Sequence, residues 1–202
     1  MKRRINPAAT NSKKASIFDN TEKREREELV REVDIGFTSY LKETFEVMNE
    51  IGLLLVSGDM DKFNVMTIGW GTAGIIWGKP VFVVLVRPSR YTYEFIEKIG
   101  QFTVNVPFPE MEEVVSFCGT VSGRDHNKFE EKNLTAIPGR KVKCPAIREC
   151  SISYECRTVH KNDVIPAELF PDIPPEYYPQ GDYHRVYFGE ILAAYKGSCY
   201  TC

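Results

Sequence analysis

The stretch Pro80 to Lys98, PVFVVLVRPSRYTYEFIEK, constrains the fold more than any other part of the chain. Its opening run, Pro80 to Val86, is almost continuously apolar and β-branched, the pattern of a strand covered on both faces. Arg87, Pro88, Ser89 and Arg90 end the run, and Tyr91 to Lys98 takes up helical spacing. Ser89 or Thr92 is the expected N-cap, with Phe95, Ile96 and Ile99 on the apolar side. A buried strand that turns into a helix start gathers free backbone N–H groups and the positive end of the helix dipole. Two arginines and two hydroxyls around that point suit a phosphate-sized anion. Taken alone, the same residues also describe a capped helix with solvated arginines, so the weight must come from other segments.

Charge sharpens this. The formal net charge is −2 over 202 residues, which exerts no global pull on nucleic acid or an anionic membrane, so any anion site is local. The length suits one domain with an added arm. The expected division is residues 1–36 as arm and surface helix and residues 37–202 as the main domain. No apolar run reaches membrane-spanning length, the start lacks a secretory apolar segment, and the acid-rich Glu22 to Glu32 argues against a transit peptide. A cytoplasmic protein is expected. The six cysteines include no paired CxxC set for zinc, and the CxxC of Cys199 to Cys202 lacks a strand–helix context, so reduced thiols are expected.

Along the chain, Met1 to Asn20 reads as a loose arm and Thr21 to Asp34 as a charge-dense surface helix. Phe37 to Met48 has one apolar helical face. Ile51 to Ser57, Asn64 to Trp70, Pro80 to Val86, Phe102 to Val106, Cys150 to Arg157 and Arg185 to Tyr195 read as strands. Gly71 to Gly78 reads as a glycine-rich loop, and Met111 to Cys118 as a helix stopped by Gly119. Cys150 to Arg157 alternates, so Ser151, Ser153, Glu155 and Arg157 are expected on a wet face. Asn162 to Gly181, with its prolines and paired tyrosines, reads as a long stiff loop of the kind that is usually functional or disordered. Short strands without βαβ alternation favour a mainly β fold, a small antiparallel barrel with peripheral helices.

Two further segments bear on chemistry. Cys118 to Lys128, CGTVSGRDHNK, combines glycines that allow close backbone approach with Ser122, Arg124 and Lys128. By itself it is an ordinary helix-to-loop junction; with Arg87 to Thr92 it would surround a dianionic phosphate. In Asn64 to Trp70, Asn64, Met66, Ile68 and Trp70 share one strand face. Core packing explains Met66 and Ile68 but not Asn64, whose amide needs partners. A planar heterocycle with carbonyls and ring N–H groups would suit such neighbours.

NVMTIGWG, KPVFVVLVRPSRYTYEFIE, CGTVSGRDHNKF and GDYHRVYFGEI, in that order, resemble the flavin reductase-like, FMN-binding split-barrel family, with flavoredoxin as the nearest branch. The resemblance runs from about Phe37 to about Tyr195. It implies a Greek-key split β-barrel, a homodimer, and FMN held noncovalently near the subunit interface. Carried over by position, Arg87, Ser89, Arg90 and Thr92 would hold the phosphate. Asn64, Met66, Thr67 and Trp70 would lie along the ring and ribityl chain, and Cys118, Ser122, Gly123, Arg124 and Lys128 would close the site. Tyr183, His184 and Arg185 would border the ring or the dimer contact.

No catalytic residue and no metal ligand is expected, because flavin chemistry resides in the cofactor. A lone His184 is as well explained by a loop hydrogen bond as by proton donation. Without a G-x-G-x-x-G after a strand, a nicotinamide would stack on the flavin itself. The expected function is an FMN-dependent oxidoreductase that receives electrons from NAD(P)H or a redox protein. The alternative is a non-catalytic FMN-binding or electron-carrier module. An oligonucleotide-binding barrel lacks the basic–aromatic stripe it would need.

Overall fold

The computed structural model describes residues 33–34 and 36–197. The expected arm, Met1 to Asn20, and the C-terminal CxxC lie outside the described residues. So does the helix expected over Thr21 to Asp34, except for its last two residues. These form a short strand, β1 (Val33–Asp34), paired with the far end of the last strand.

Helix α1 (Leu41–Glu50) follows, and buries Thr44, Val47 and Met48. Strands β2 (Leu53–Gly58) and β3 (Phe63–Ile68) form a hairpin, as do β4 (Gly71–Ile76) and β5 (Lys79–Val86). Gly71 to Gly78, expected as a loop, is therefore largely strand. Gly71 fits close beside β5, where a Cβ would lie 2.8 Å from Val83 O. The turn falls at Trp77 and Gly78, both at positive φ (54° and 70°), as a two-residue hairpin requires.

Helix α2 (Tyr91–Ile99) leads into β6 (Gln101–Val106) through Gly100 at φ 61°, the left-handed C-cap that glycine adopts without cost. Helix α3 (Glu112–Thr120) continues through Gly119 and ends at Val121. Gly119 is thus not the helix stop expected of it; it lets the helix approach β3, where its Cβ would stand 3.2 Å from Thr67 Cβ. The short helix α4 (Lys128–Glu131), the small pair β7 (Ala136–Ile137) and β8 (Ala146–Ile147), and the long strand β9 (Ile152–Asp163) come next. The proline-rich connection contains a 3-10 turn and helix α5 (Ile173–Tyr177) before β10 (Arg185–Lys196).

Every strand pairing is antiparallel, in the order β3-β2-β6-β9-β10-β5-β4, with β1 also on β10. The sheet curls around one core. Leu53, Leu55, Phe82, Val84, Phe102, Val104, Tyr154 and Tyr187 meet there, although they come from strands across the whole sheet. Leu54, Val56 and Val65 point the opposite way, onto Val115, Cys118 and Phe129 of α3 and α4. The strands β2 and β3 are therefore covered on both faces, which fixes the helices against the site below. This is the split β-barrel with peripheral helices that the sequence leads one to expect.

The polar face of β9 differs from expectation. Arg157 is exposed as expected, but Ser151 and Ser153 are buried and Glu155 fully so. The Glu155 carboxylate accepts backbone N–H bonds from Arg140, Lys141 and Val142 and the hydroxyl of Tyr195. A loop with free N–H groups has covered the strand, and the carboxylate satisfies them. Cys118, Cys144, Cys150 and Cys156 are buried free thiols. Among the described residues no helix is long and apolar enough to cross a membrane.

Candidate functional site

Where β5 ends and α2 begins, the chain meets β3, the α3–α4 connection and the start of β10 around one cavity of about 290 Å³. Asn64, Met66, Thr67, Trp70, Arg87, Ser89, Arg90, Thr92, Cys118, Ser122, Gly123, Arg124, Lys128 and His184 all line it. These residues are thus brought to one place from segments spread over more than half the chain; Tyr183 and Arg185, also expected near the ring, do not line the cavity, and Arg185 pairs with Asp163 and Glu97 instead.

One end is an anion end. Helix α2 has Arg90 as its N-cap and makes no side-chain cap, so neither Ser89 nor Thr92 plays the role expected of it. The backbone N–H groups of Tyr91 and Thr92 have no acceptor among the described residues and face the start of the helix. Thr92 is fully buried and accepts a hydrogen bond from Asn64 Nδ2 at 2.7 Å, which supplies the partner that a buried amide demands. Gly123 packs against the same amide so closely that a Cβ there would lie 1.8 Å from Asn64 Oδ1.

The cations differ in what they already hold. Lys128 is buried, and its ammonium donates to Val65 O (3.0 Å) and Cys118 O (2.7 Å), locking the closing loop to β3 and α3. Burial pulls its pKa below the ordinary lysine value. The same burial pushes the Cys118 thiol up to about 11, so it stays protonated and unreactive. Arg124 donates to Ser89 O (3.2 Å), pairs with Glu94 (2.5 Å) and lies 4.9 Å over the Tyr91 ring. Arg87 donates to Tyr177 O (2.8 Å) and Asp182 O (3.1 Å). Arg90 is exposed; its backbone N–H donates to Arg87 O at 3.0 Å, while its guanidinium has no hydrogen-bond or ion-pair partner among the described residues. Thr67 turns its hydroxyl away, onto Val115 O at 2.5 Å.

The other end is aromatic. Trp70 meets His184 (5.0 Å between ring centres), Tyr177 (5.3 Å) and Tyr178 (6.3 Å). His184 is nine-tenths buried, with Nδ1 2.9 Å from the Tyr178 hydroxyl. Burial, with the positive charge of Arg87 nearby, lowers its pKa to about 4, so the ring is neutral near pH 7. The reading of His184 as a loop-bonded histidine is the one the geometry matches.

Tyr177, Tyr178 and Asp182 of the proline-rich connection were not singled out from sequence, although each touches a lining residue. The doublet of tyrosines was the available signal. Nothing in the local pattern says that it folds back onto Trp70.

The strand–helix junction, glycine-bearing loop and aromatic wall converge on one cation-lined cavity, and the antiparallel split barrel that carries them is the fold of flavin reductase-like proteins. The chain belongs to that family: the flavin reductase like domain matches residues 50–199. It is 35% identical over 147 residues to an uncharacterized protein of Archaeoglobus fulgidus, covering 73% of this chain and 72% of the relative. Among solved structures, the flavoredoxin of Methanosarcina acetivorans is 27% identical, covers 84% of this chain and 77% of its own, and superposes with a TM-score of 0.58. An FMN-binding domain of a flavin reductase-like enzyme from Shewanella baltica shares the fold at 21% identity, with a TM-score of 0.56 and coverage of 83% and 76%.

Proposed function

We propose that the chain is an FMN-binding oxidoreductase, taking electrons from NAD(P)H or a redox protein and passing them to a flavin, ferric or protein acceptor. The observation that carries this reading is the polarity of the cavity: cations and unpaired N–H groups at one end, a neutral aromatic wall at the other. FMN has that polarity, with a dianionic phosphate at one terminus and a planar ring at the other. The cradle fits the group. Arg90 is an unengaged guanidinium at the N-terminus of α2, and Gly123 lets the closing loop pack directly on the Asn64 amide.

In this reading Arg90, the N–H groups of Tyr91 and Thr92, Ser89 and Arg124 bind the phosphate. Asn64, held by Thr92, and the strand from Met66 to Trp70 border the ribityl chain and ring. Lys128 keeps the closing loop in place rather than acting as a proton source, since two of its donors hold carbonyls. Bound FMN supplies the hydride and electron chemistry, while the protein positions it and tunes its electronics. Neutral His184 and Trp70 exclude water from the ring end. The exposed hydrophobic residues Ile75 and Trp77 on the edge hairpin β4–β5 would be covered by a second copy of the chain, in keeping with a homodimer.

The test is an absorption spectrum of the purified protein, then anaerobic addition of NADH, NADPH and dithionite. Flavin bands that bleach with one nucleotide establish a reductase and its donor. Bands that bleach only with dithionite establish the electron-carrier alternative. A colourless protein that cannot be reconstituted with FMN overturns the proposal.

A further inference from the structure

The anion end already holds a carboxylate. Asp182 accepts the Ser89 hydroxyl through Oδ2 at 2.5 Å and the Ser89 backbone N–H through Oδ1 at 3.3 Å. This is the double acceptance that a phosphate oxygen pair makes at such a turn. The segment bearing Asp182 is anchored at its Tyr177–Tyr178 end, where the rings meet Trp70 and His184. Arg87 holds the carbonyls of Tyr177 and Asp182, and its guanidinium lies 5.0 Å over the Tyr178 ring. Asp182 itself is exposed and sits at φ 56°, a left-handed conformation that Asp and Asn tolerate better than other side chains. Between Arg87, Arg90 and the segment from Tyr177 to Asp182 lies a second void of about 350 Å³, so the carboxylate has room to withdraw. Arg90 lines both spaces.

We propose that Asp182 is a latch on the anion end: it occupies the Ser89 donors until a phosphate ester displaces it, which frees the Tyr177 to Asp182 segment at the rim of the cavity. The proposal rests on the flavin reading above for the identity of the phosphate ester. Its logic is charge. A dianion at Ser89 cannot share those donors with a carboxylate, because like charges at hydrogen-bond distance repel. An uncharged ligand exerts no such repulsion and leaves the latch shut. Asp182 therefore sets a cost on phosphate binding and, in return, couples occupancy of the anion end to the loop that walls the aromatic end.

The experiment compares wild type with Asp182→Asn, which keeps shape and backbone preference but removes the charge. Affinities for FMN and riboflavin are read by flavin fluorescence. The variant should bind FMN at least about fivefold more tightly, with riboflavin changed less than about twofold. Unchanged or weaker FMN binding, or equal tightening of both ligands, overturns the latch while leaving the flavin reading intact. The second measurement needs neither flavin nor a variant that binds it. Inorganic phosphate, against chloride at equal ionic strength, should accelerate chymotryptic cleavage at Tyr177 in wild type and have no effect on Asp182→Asn. If wild type binds neither flavin, the function proposed above fails, and this cleavage alone decides the latch: identical rates with phosphate and chloride overturn it.

Discussion

At the anion end of the cavity, each contributing side chain comes from a short segment that is recognisable on its own: Arg87 to Thr92, then Ser122 to Lys128, with Asn64 between them in space. At the aromatic end, Tyr177, Tyr178 and His184 come from the proline-rich connection and the entry to β10 that follows it, and Trp70 comes from a strand corner remote from both in sequence. The first end is held by backbone geometry: a helix start, a glycine pressed on an amide, a buried lysine bonded to two carbonyls. The second is held by ring contacts and by Arg87, whose guanidinium carries two carbonyls and a ring of the connection. The anion end is thus built from backbone geometry, while the aromatic end is assembled onto it by ring contacts, by Arg87 and by the Ser89–Asp182 bonds.

The sharpest way to separate the two ends is to remove charge from the first. Replacing Arg90 and Arg124 together by Ala should weaken FMN by about a hundredfold, since charge-assisted bonds to phosphate are the strong ones. Riboflavin, which lacks the phosphate, should weaken far less. Equal losses for the two ligands would remove the phosphate assignment. Arg90→Ala alone should give most of the selective loss. Arg87→Ala alone should disturb Trp70 emission, because it releases the tyrosine segment.

Lys128 tests whether the anion end is prebuilt. Lys128→Met keeps the length of the side chain but leaves the carbonyls of Val65 and Cys118 unpaired, at a cost of about 2 kcal/mol in urea unfolding. Binding of both flavins should fall in parallel, because the loop as a whole is loosened. A selective loss of FMN would make Lys128 a phosphate ligand instead. Gly123→Ala should act in the same direction but more weakly, about tenfold on both flavins, as the new methyl group drives Asn64 from Thr92.

What could be read in advance follows the same division. Local signals identified the buried strand, the helix start, the glycine-bearing loop and the unexplained amide of Asn64, because each depends on neighbours within a few residues. Gly71 to Gly78 was misread, since its strand character comes from pairing with β5 rather than from its own propensities. Glu155 was assigned to a wet face because alternation alone cannot show that the loop from Arg140 to Val142 will lie across it. Asp182 escaped notice for a related reason. A Gly-Asp turn is common, and only the fold-back of the proline-rich connection puts its carboxylate on Ser89.

The smallest expected effect belongs to the aromatic end and is a pH dependence. His184 has its pKa lowered from 6.5 to about 4 in the folded protein, chiefly by burial. The unfolded chain therefore binds the proton first as pH falls. The stability that comes from keeping this ring neutral is fully present above about pH 6.5, declines from there, and is gone below about pH 4. Between pH 7.5 and 5.5 the loss should be about 1 kcal/mol. Glu97, Glu113, Asp163 and Glu190 also have lowered pKa values and lose stability in acid. Their contribution is removed by comparison with His184→Asn, which offers the Tyr178 hydroxyl an amide partner and does not titrate. The difference in unfolding free energy between wild type and this variant should shift by about 1 kcal/mol in favour of the variant over that interval. A constant difference would mean that the ring is already solvated at the aromatic end, so that this wall opens far more freely than the prebuilt anion end.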